Sequence, residues 1–239
     1  MTAPKLLNRV LNKAQRVLGL TYDQRLEAHL LKINARVKSP VFVKVGANDG
    51  LTGDPCGEIF LKNRHWRGLL IEPVPYCVER LKQTYDDSSR FSILPCAISD
   101  TDGQIEFYYV SEEAGKKLEG LPPYYDQLGS FNRAHIVSQL NGVLEPYIVS
   151  SPVEVRALAN VIRDSGLERI DLLHIDTEGH DWRVLKTFDF SKFQPSLIIV
   201  EQMHLAPDER THMRDLLVAS GYRVLTTPYD FIAMKPVSR

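Results

Sequence analysis

The segment VFVKVGANDG, at residues 41–50, constrains the fold of this chain more than any other. Its first half is apolar apart from Lys44 and has the length of a short buried strand. Its second half turns between Gly46 and Gly50, where the missing side chains let a ligand approach the backbone closely. The next apolar run, GLLIEPVP, carries an acidic residue, Glu72. This arrangement predicts a nucleotide-type cofactor across the carboxyl ends of parallel strands.

Most of the remaining chain alternates between strand-like and helix-like patterns. Further strands are predicted near residues 68–72, 91–95, 170–175, 196–200, 222–225 and 231–234. Helices are predicted near residues 56–63, 75–85, 158–164, 181–188 and 208–220. Such alternation is typical of an α/β fold in which helices cover both faces of a mostly parallel sheet.

Two segments depart from this alternation. Residues 1–39 predict an N-terminal helical extension, which precedes a main domain at residues 40–239. Its first helix, over residues 4–19, is amphipathic with only basic charges. That helix either packs on the domain or on a second subunit, as in a homodimer, or makes a weak membrane-surface contact.

The second departure is an insertion at about residues 111–150, after a predicted strand, QIEFYYV, in a hairpin-like excursion. The insertion is rich in Gly, Pro and Tyr, and no regular element is predicted in its first half. We interpret it as a lid over a binding site, because a merely solvated loop has little use for aromatic side chains.

The composition restricts the functional class. With 239 residues and 44% hydrophobic side chains, the chain can form one full core. Its net charge of −1 disfavours a nucleic-acid partner. No apolar run is long enough to span a bilayer, and no secretory signal is predicted. The three cysteines form no C-x-x-C pair, which predicts reduced thiols in a cytoplasmic protein.

The glycine turn narrows the choice of cofactor. It reads G-x-x-x-G, which lacks the G-x-G-x-x-G spacing of a dinucleotide site and the lysine and serine of a P-loop. A cofactor without a diphosphate, such as S-adenosylmethionine, therefore fits better. Glu72 could accept hydrogen bonds from both ribose hydroxyls, or it could be an exposed carboxylate at a strand end.

Five motifs in order, VGANDG, LIEPVP, LPPYYDQLGSF, DLLHIDTEGHDW and IIVEQMH, give the chain a family resemblance. Over about residues 40–235 it resembles the FkbM family of S-adenosylmethionine-dependent methyltransferases. The resemblance implies a class I methyltransferase (Rossmann-like) fold with a seven-stranded, mostly parallel sheet whose last strand is antiparallel. It also implies methylation of hydroxyl oxygens on sugars and natural products. Many relatives carry an acidic residue where this chain has Lys44, and Asp49 is expected to compensate.

The glycine turn, the acidic strand end and the resemblance together define a cofactor site. The predicted cofactor-binding residues are Gly46, Ala47, Asn48, Asp49, Gly50, Glu72, Pro73, Ala97, Ile98, Ser99 and Asp176. Of these, residues 97–99 are included only because the resemblance implies that they flank the adenine.

Two polar clusters, DTEGHD and EQMH, follow predicted buried strands. Asp176 and Glu201 would stand side by side on adjacent strand ends, where they could hold Mg²⁺ or hydrogen-bond a sugar directly. His180 is the predicted general base and His204 the alternative, although His180 could instead cap the following helix. We interpret Asp181 as that cap.

The remaining candidates lie in the insertion and among the other histidines. The predicted substrate-binding and lid residues are Tyr125, Asp126, Gln127, Ser130 and Phe131. His174 is interpreted as a hydrogen-bonded core histidine and His135 as a surface or helix residue.

These patterns predict an S-adenosylmethionine-dependent O-methyltransferase whose partner is a sugar, a glycan or a glycosylated small molecule. Two alternatives stay open. A nicotinamide-dependent oxidoreductase is disfavoured by the missing third glycine. A non-catalytic cofactor-binding module of the same fold is favoured by Lys44 but disfavoured by the polar clusters at one sheet edge.

Overall fold

The computed structural model describes residues 22–54 and 56–236. Its helices are α1 (Tyr22–Arg36), α2 (Gly57–Lys62), α3 (Pro75–Thr84), α4 (Glu113–Lys117), α5 (Arg133–Ser138), α6 (Leu158–Asp164), α7 (Asp181–Leu185) and α8 (Pro207–Ala219). Its strands are β1 (Val41–Val45), β2 (Arg67–Ile71), β3 (Phe91–Leu94), β4 (Ala97–Ser99), β5 (Gly103–Val110), β6 (Ile148–Ala157), β7 (Leu172–Ile175), β8 (Leu197–Glu201), β9 (Arg223–Thr226) and β10 (Asp230–Met234).

Seven strands form the central sheet, in the order β3-β2-β1-β7-β8-β10-β9. The first five are parallel, and β10 is antiparallel to both of its neighbours. Every residue of β7 and β8 is buried, because helices cover both faces of the sheet. The predicted class I methyltransferase fold is therefore confirmed.

The strand order reverses between β1 and β7, and this position determines where a ligand can bind. β2 and β3 lie on one side of β1, whereas β7 and β8 lie on the other. The loops that leave β1 and β7 therefore diverge and open a crevice at the carboxyl edge of the sheet. The glycine turn follows β1, and the DTEGHD cluster follows β7.

Helix α1 packs on one face of the central sheet. Its Leu26 and Leu30 are buried in the same cluster as Phe42, Phe60 and Trp66. The rings of Phe42 and Phe60 stack with their centroids 3.9 Å apart. Helix α1, which falls within the predicted N-terminal helical extension, thus packs into the core of the domain.

The predicted first helix, over residues 4–19, lies outside the described residues. Its packing, a homodimer and a membrane-surface contact remain predictions. Within residues 22–54 and 56–236, no helix combines the length and hydropathy that a membrane span requires.

A second sheet of three strands, in the order β4-β6-β5, departs from the predicted pattern. The expected hairpin-like excursion exists, but β5 pairs antiparallel with β6, whose first residues, from Ile148, were not predicted as strand. The segment between them is also less irregular than predicted, since it contains α4 and α5. A backbone bridge between Tyr108 and Ser130 holds its DQLGSF loop against β5.

Candidate active site

The glycine turn is fastened to both neighbouring strands. The amides of Gly46 and Ala47 both donate to the carbonyl of Ile71, at the end of β2, at 3.0 Å. Gly46 has a φ of +73°, and a Cβ on it would lie 1.7 Å from the carbonyl oxygen of Asp176. Only glycine allows the ends of β1 and β7 to approach this closely.

A cavity of about 800 Å³ opens at this edge of the sheet. Of the predicted cofactor residues, those that line it are Gly46, Ala47, Asn48, Glu72, Pro73, Ala97, Ile98 and Asp176. Asp49, Gly50 and Ser99 are not part of its lining. Asp49 instead accepts hydrogen bonds from the amides of Leu51 and Thr52 and so shapes the loop beside the cavity.

Glu72 is a buried carboxylate rather than an exposed residue at a strand end, since only 5% of it is accessible. Its Oε2 accepts from the amide of Asn48 and its Oε1 from the amide of Val74, both at 2.8 Å. Burial raises the pKa of Glu72 to about 7, although both hydrogen bonds oppose the shift. Each oxygen keeps a further lone pair with which it can accept a hydrogen bond from a ligand in the cavity.

Lys44 has a carboxylate partner, Asp54, which the sequence patterns did not identify. Its Nζ donates to Oδ2 of Asp54 at 2.5 Å, and both side chains are almost fully buried. Burial would raise the pKa of Asp54, but the Lys44 ammonium and His174 hold it below its ordinary value. The pair brings a buried carboxylate to the cavity wall.

His174 is not the hydrogen-bonded core histidine that its strand pattern predicted. Its Nδ1 lies 4.0 Å from Oδ1 of Asp54 and has no hydrogen-bond partner, although the residue is buried. Burial and the Lys44 charge lower the pKa of His174 to about 4, so that its ring is neutral near pH 7. The residue lines the cavity, although its unpaired Nδ1 is itself buried beside Asp54.

Asp176 and Glu201 form the opposite wall. Asp176 directly follows β7, and Glu201 is the last residue of β8. The two strands are parallel neighbours in which Ile175 aligns with Val200, so the prediction that Asp176 and Glu201 stand on adjacent strand ends is confirmed. Burial raises the pKa of Glu201 to about 11, with a contribution from Asp176. Desolvation also raises the pKa of Asp176, and the Glu178 carboxylate adds to the shift.

His180, the predicted general base, lies outside the lining of the cavity. Its Nε2 is hydrogen-bonded to Oγ of Ser99 at 2.8 Å, and its ring lies 4.7 Å from that of Phe131. Burial, followed by the charge of Arg183, lowers the pKa of His180 to about 4. The structure therefore does not bring this imidazole to the wall formed by Asp176 and Glu201.

Asp181 also has a different role from the predicted helix cap. It is the first residue of α7, and its carboxylate accepts hydrogen bonds from the amides of Thr177 and Gly179, which precede the helix. His180 occupies the N-cap position without a capping side-chain hydrogen bond. Asp181 thus holds the loop that carries Asp176 and Glu178.

Beside this wall lies a group of three residues, which we call the HEH cluster: His135, Glu178 and His204. Nε2 of His135 is 3.0 Å from Oε2 of Glu178, and Nε2 of His204 is 3.4 Å from the same oxygen. The two imidazole rings meet edge to face at 4.7 Å. The sequence patterns indicated only a surface or helix position for His135, which lies in helix α5, because nothing in its local spacing links this helix to the end of β7.

The predicted lid residues divide into two groups. Asp126, Gln127 and Phe131 line the cavity, whereas Tyr125 and Ser130 do not. Nε2 of Gln127 donates to the carbonyl of Thr52 at 2.9 Å, which ties the insertion to the glycine loop. The insertion therefore contributes one side of the cavity.

Comparison with known proteins identifies the family. The sequence profile of the methyltransferase FkbM domain matches residues 44–224. The chain belongs to the FkbM family of S-adenosylmethionine-dependent methyltransferases. This assignment sets aside the nicotinamide-dependent oxidoreductase.

Individual relatives of this FkbM protein are distant. It is 25% identical over 220 residues to the methyltransferase sdnD of Sordaria araneosa, covering 85% of this chain and 81% of that protein. It is 27% identical over 179 residues to the 2-O-methyltransferase NoeI of Sinorhizobium fredii, covering 72% of this chain and 69% of that protein. Among solved structures, a precorrin-6y C5,15-methyltransferase from Geobacter metallireducens aligns over 91% of both chains with 12% identity and a TM-score of 0.42.

The residues around the cavity fit the methyl donor of this family. Glu72 suits two ribose hydroxyls, and the glycine turn exposes backbone to the amino-acid part of the donor. The magnesium prediction gains no such support. Within the described residues, the groups of three or more metal-ligating side chains are Asp54, Cys56 and His174, and the HEH cluster, and neither contains Asp176 or Glu201.

The protonation of Glu72 gives a testable pH dependence. Adenosine carries the ribose hydroxyls but no group that titrates between pH 6 and 8. If the ionised carboxylate binds these hydroxyls, adenosine should bind about tenfold more weakly at pH 6 than at pH 8, because the carboxyl is mostly protonated below its pKa. Calorimetry with Glu72→Gln, which cannot titrate, should give a flat profile. An equally flat wild-type profile would exclude this role for Glu72.

Proposed function

We propose that this FkbM methyltransferase transfers the methyl group of S-adenosylmethionine to a hydroxyl oxygen of a sugar, glycan or glycosylated metabolite. The observation that carries the proposal is the polar wall of Asp176, Glu178 and Glu201 across the cavity from Glu72. Carboxyl groups are suited to binding several hydroxyls of one ligand, and an apolar acceptor needs no such wall. The similarity to a protein named as a 2-O-methyltransferase supports the same chemistry.

Each side of the cavity then has a distinct role. When bound, S-adenosylmethionine supplies an electrophilic methyl group on a sulfonium. Glu72 and the glycine turn fix the donor, whereas Asp176 and Glu201 orient the acceptor hydroxyl towards it. Alignment of this kind can contribute up to about 7–11 kcal/mol to the rate acceleration.

The acceptor oxygen must also lose its proton. His204, which lies 3.5 Å from Oε1 of Glu201, promotes this loss, and His180 does not. Gln127 and Phe131, on the insertion side, exclude water from the reacting groups. The buried, unpaired Cys56, Cys77 and Cys96 support the expected cytoplasmic location.

A methyl-transfer assay with labelled donor tests this function. Acceptors should include sugars, nucleotide sugars and glycosides, each with a deoxy analogue that lacks one hydroxyl. We expect transfer to a hydroxylated acceptor and none to its matched deoxy analogue. Transfer to amine or carboxyl acceptors alone would contradict O-methylation. Donor binding without transfer to any acceptor would instead favour the non-catalytic module.

A further inference from the structure

The HEH cluster joins three separate parts of the fold. His135 lies in α5 of the insertion, Glu178 in the loop after β7, and His204 in the loop after β8. Their side chains are 13%, 17% and 18% exposed, so they are mostly withdrawn from solvent. The ligand-type atoms of all three lie within 4.8 Å of one another. Withdrawing two imidazoles and a carboxylate from water costs free energy unless these groups are hydrogen-bonded or bind a common ion.

Hydrogen bonding accounts for only part of this geometry. The 3.0 Å separation of His135 and Glu178 is an ordinary hydrogen bond. The separations of His204 from Glu178 and from Glu201 are 3.4 and 3.5 Å, which are longer than usual for N–H···O bonds. Ligand atoms bound tetrahedrally to zinc, each about 2.0–2.1 Å from the metal, lie about 3.3–3.4 Å apart.

A second observation at the same place points to a missing partner. Oε2 of Glu201 has no hydrogen-bond partner, and it is shielded from water because the residue is only 8% exposed. The other oxygen of this carboxylate faces Nε2 of His204. A cation held by the HEH cluster would account for the long contacts of His204, and the adjacent Glu201 carboxyl carries an unsatisfied acceptor.

We propose that the HEH cluster binds one divalent transition-metal ion of the zinc and iron(II) class. Two imidazole nitrogens and one carboxylate oxygen form a donor set typical of these ions. Magnesium prefers an all-oxygen shell, so this site differs in both ligands and metal from the predicted one at Asp176 and Glu201. Glu201 is adjacent, with its Oε1 3.5 Å from Nε2 of His204, but it is not one of the three ligands.

The other group of three possible ligands is a poorer cation site. In it, Asp54 is already engaged by the ammonium of Lys44 at 2.5 Å. A buried positive charge in contact with one ligand opposes the binding of a second cation. The HEH cluster contains no such cation, and both of its histidines face Glu178.

The proposed site also gives the ion a role, and this part rests on the proposed function. An ion held beside the carboxylate wall can bind the acceptor oxygen and favour its ionised form. His204 would then act as a ligand, and His135 would fasten the insertion to the sheet edge. Metal binding and closure of the insertion over the acceptor would be coupled.

Metal binding can be measured without donor or acceptor. The full-length protein is stripped with a chelator and titrated with Zn²⁺ by calorimetry, and with Co²⁺ by visible absorption. We expect one equivalent of either ion and Co²⁺ bands typical of nitrogen and oxygen ligands. His135→Ala, Glu178→Gln and His204→Ala should each bind at least tenfold more weakly, whereas His65→Ala, at an exposed site, should bind like the wild type. Melting curves of the metal-free variants check that each is folded.

The outcomes separate the site from its function. Failure of the wild type to bind one equivalent, or equal binding by wild type and all three cluster variants, would overturn the metal site. Stoichiometric binding without methyl transfer would leave the site intact and contradict the proposed function. Equal transfer rates before and after metal removal would overturn the catalytic role of the ion alone.

Discussion

Gly46→Ala is expected to destabilise the folded protein by more than about 4 kcal/mol, if the variant folds at all. The added Cβ would lie 1.7 Å from the carbonyl oxygen of Asp176, which is backbone at the end of β7 and cannot rotate away. Relief of this clash would separate the ends of β1 and β7 and disrupt the cavity floor. Urea unfolding, with the midpoint and slope compared with wild type, measures the loss.

The chain provides a matched control for backbone strain. Gly120 has the same φ of +73°, but a Cβ there would meet nothing within 4 Å. Gly120→Ala should therefore cost only the left-handed strain of about 1–2 kcal/mol. Equal losses for the two variants would show that the approach of β1 to β7 is not what requires glycine at position 46.

His204→Ala is expected to lower the methyl-transfer rate by about 10²- to 10⁴-fold, the usual contribution of a group that assists proton removal. The imidazole touches Glu178 and Glu201 at the acceptor wall, and alanine abolishes its action both as a base and as a metal ligand. Affinity for S-adenosylhomocysteine should stay nearly unchanged, because Glu72 and the glycine turn are on the other side of the cavity. Turnover and calorimetry on the same preparation separate the two effects.

His180→Ala is the natural comparison, because His180 was the base that the sequence pattern predicted. Neither histidine is part of the cavity lining, but Nε2 of His180 is occupied by Ser99, whereas Nε2 of His204 faces Glu178 and Glu201. We expect the loss of His180 to reduce turnover by less than about tenfold, well below the effect of a group that assists proton removal. The opposite order, with His180 essential and His204 dispensable, would return the role to His180.

The central sheet could be predicted because its strands carry their own signal. β7 and β8 are buried along their whole length and are apolar apart from His174 and Glu201. Gly46 and Glu72 were also predictable, because a glycine turn and an acidic strand end have a local physical meaning. The family motifs then specified the donor, which the spacing alone only narrowed.

The missed features depend on contacts between distant segments. Of the ten residues of β6, only Val153 and Val155 are buried, so its pattern is too weak to predict the whole strand. The pairing of Lys44 with Asp54 and the approach of His135 to Glu178 leave no periodic trace in the sequence. The contact of His180 with Ser99 was not predictable either, because its position after Gly179 indicates that it is close to the site but gives no information on where its ring points.

A calorimetric titration of the wild-type protein at pH 8 with S-adenosylhomocysteine and with NAD tests the methyl-donor site most directly. The geometry predicts one equivalent of S-adenosylhomocysteine and no binding of NAD, and Glu72→Gln should weaken the binding by about 1.5–3 kcal/mol, the value of a hydrogen bond to a charged group. Failure to bind S-adenosylhomocysteine, or unchanged affinity in Glu72→Gln, would contradict the assignment of this cavity to the methyl donor.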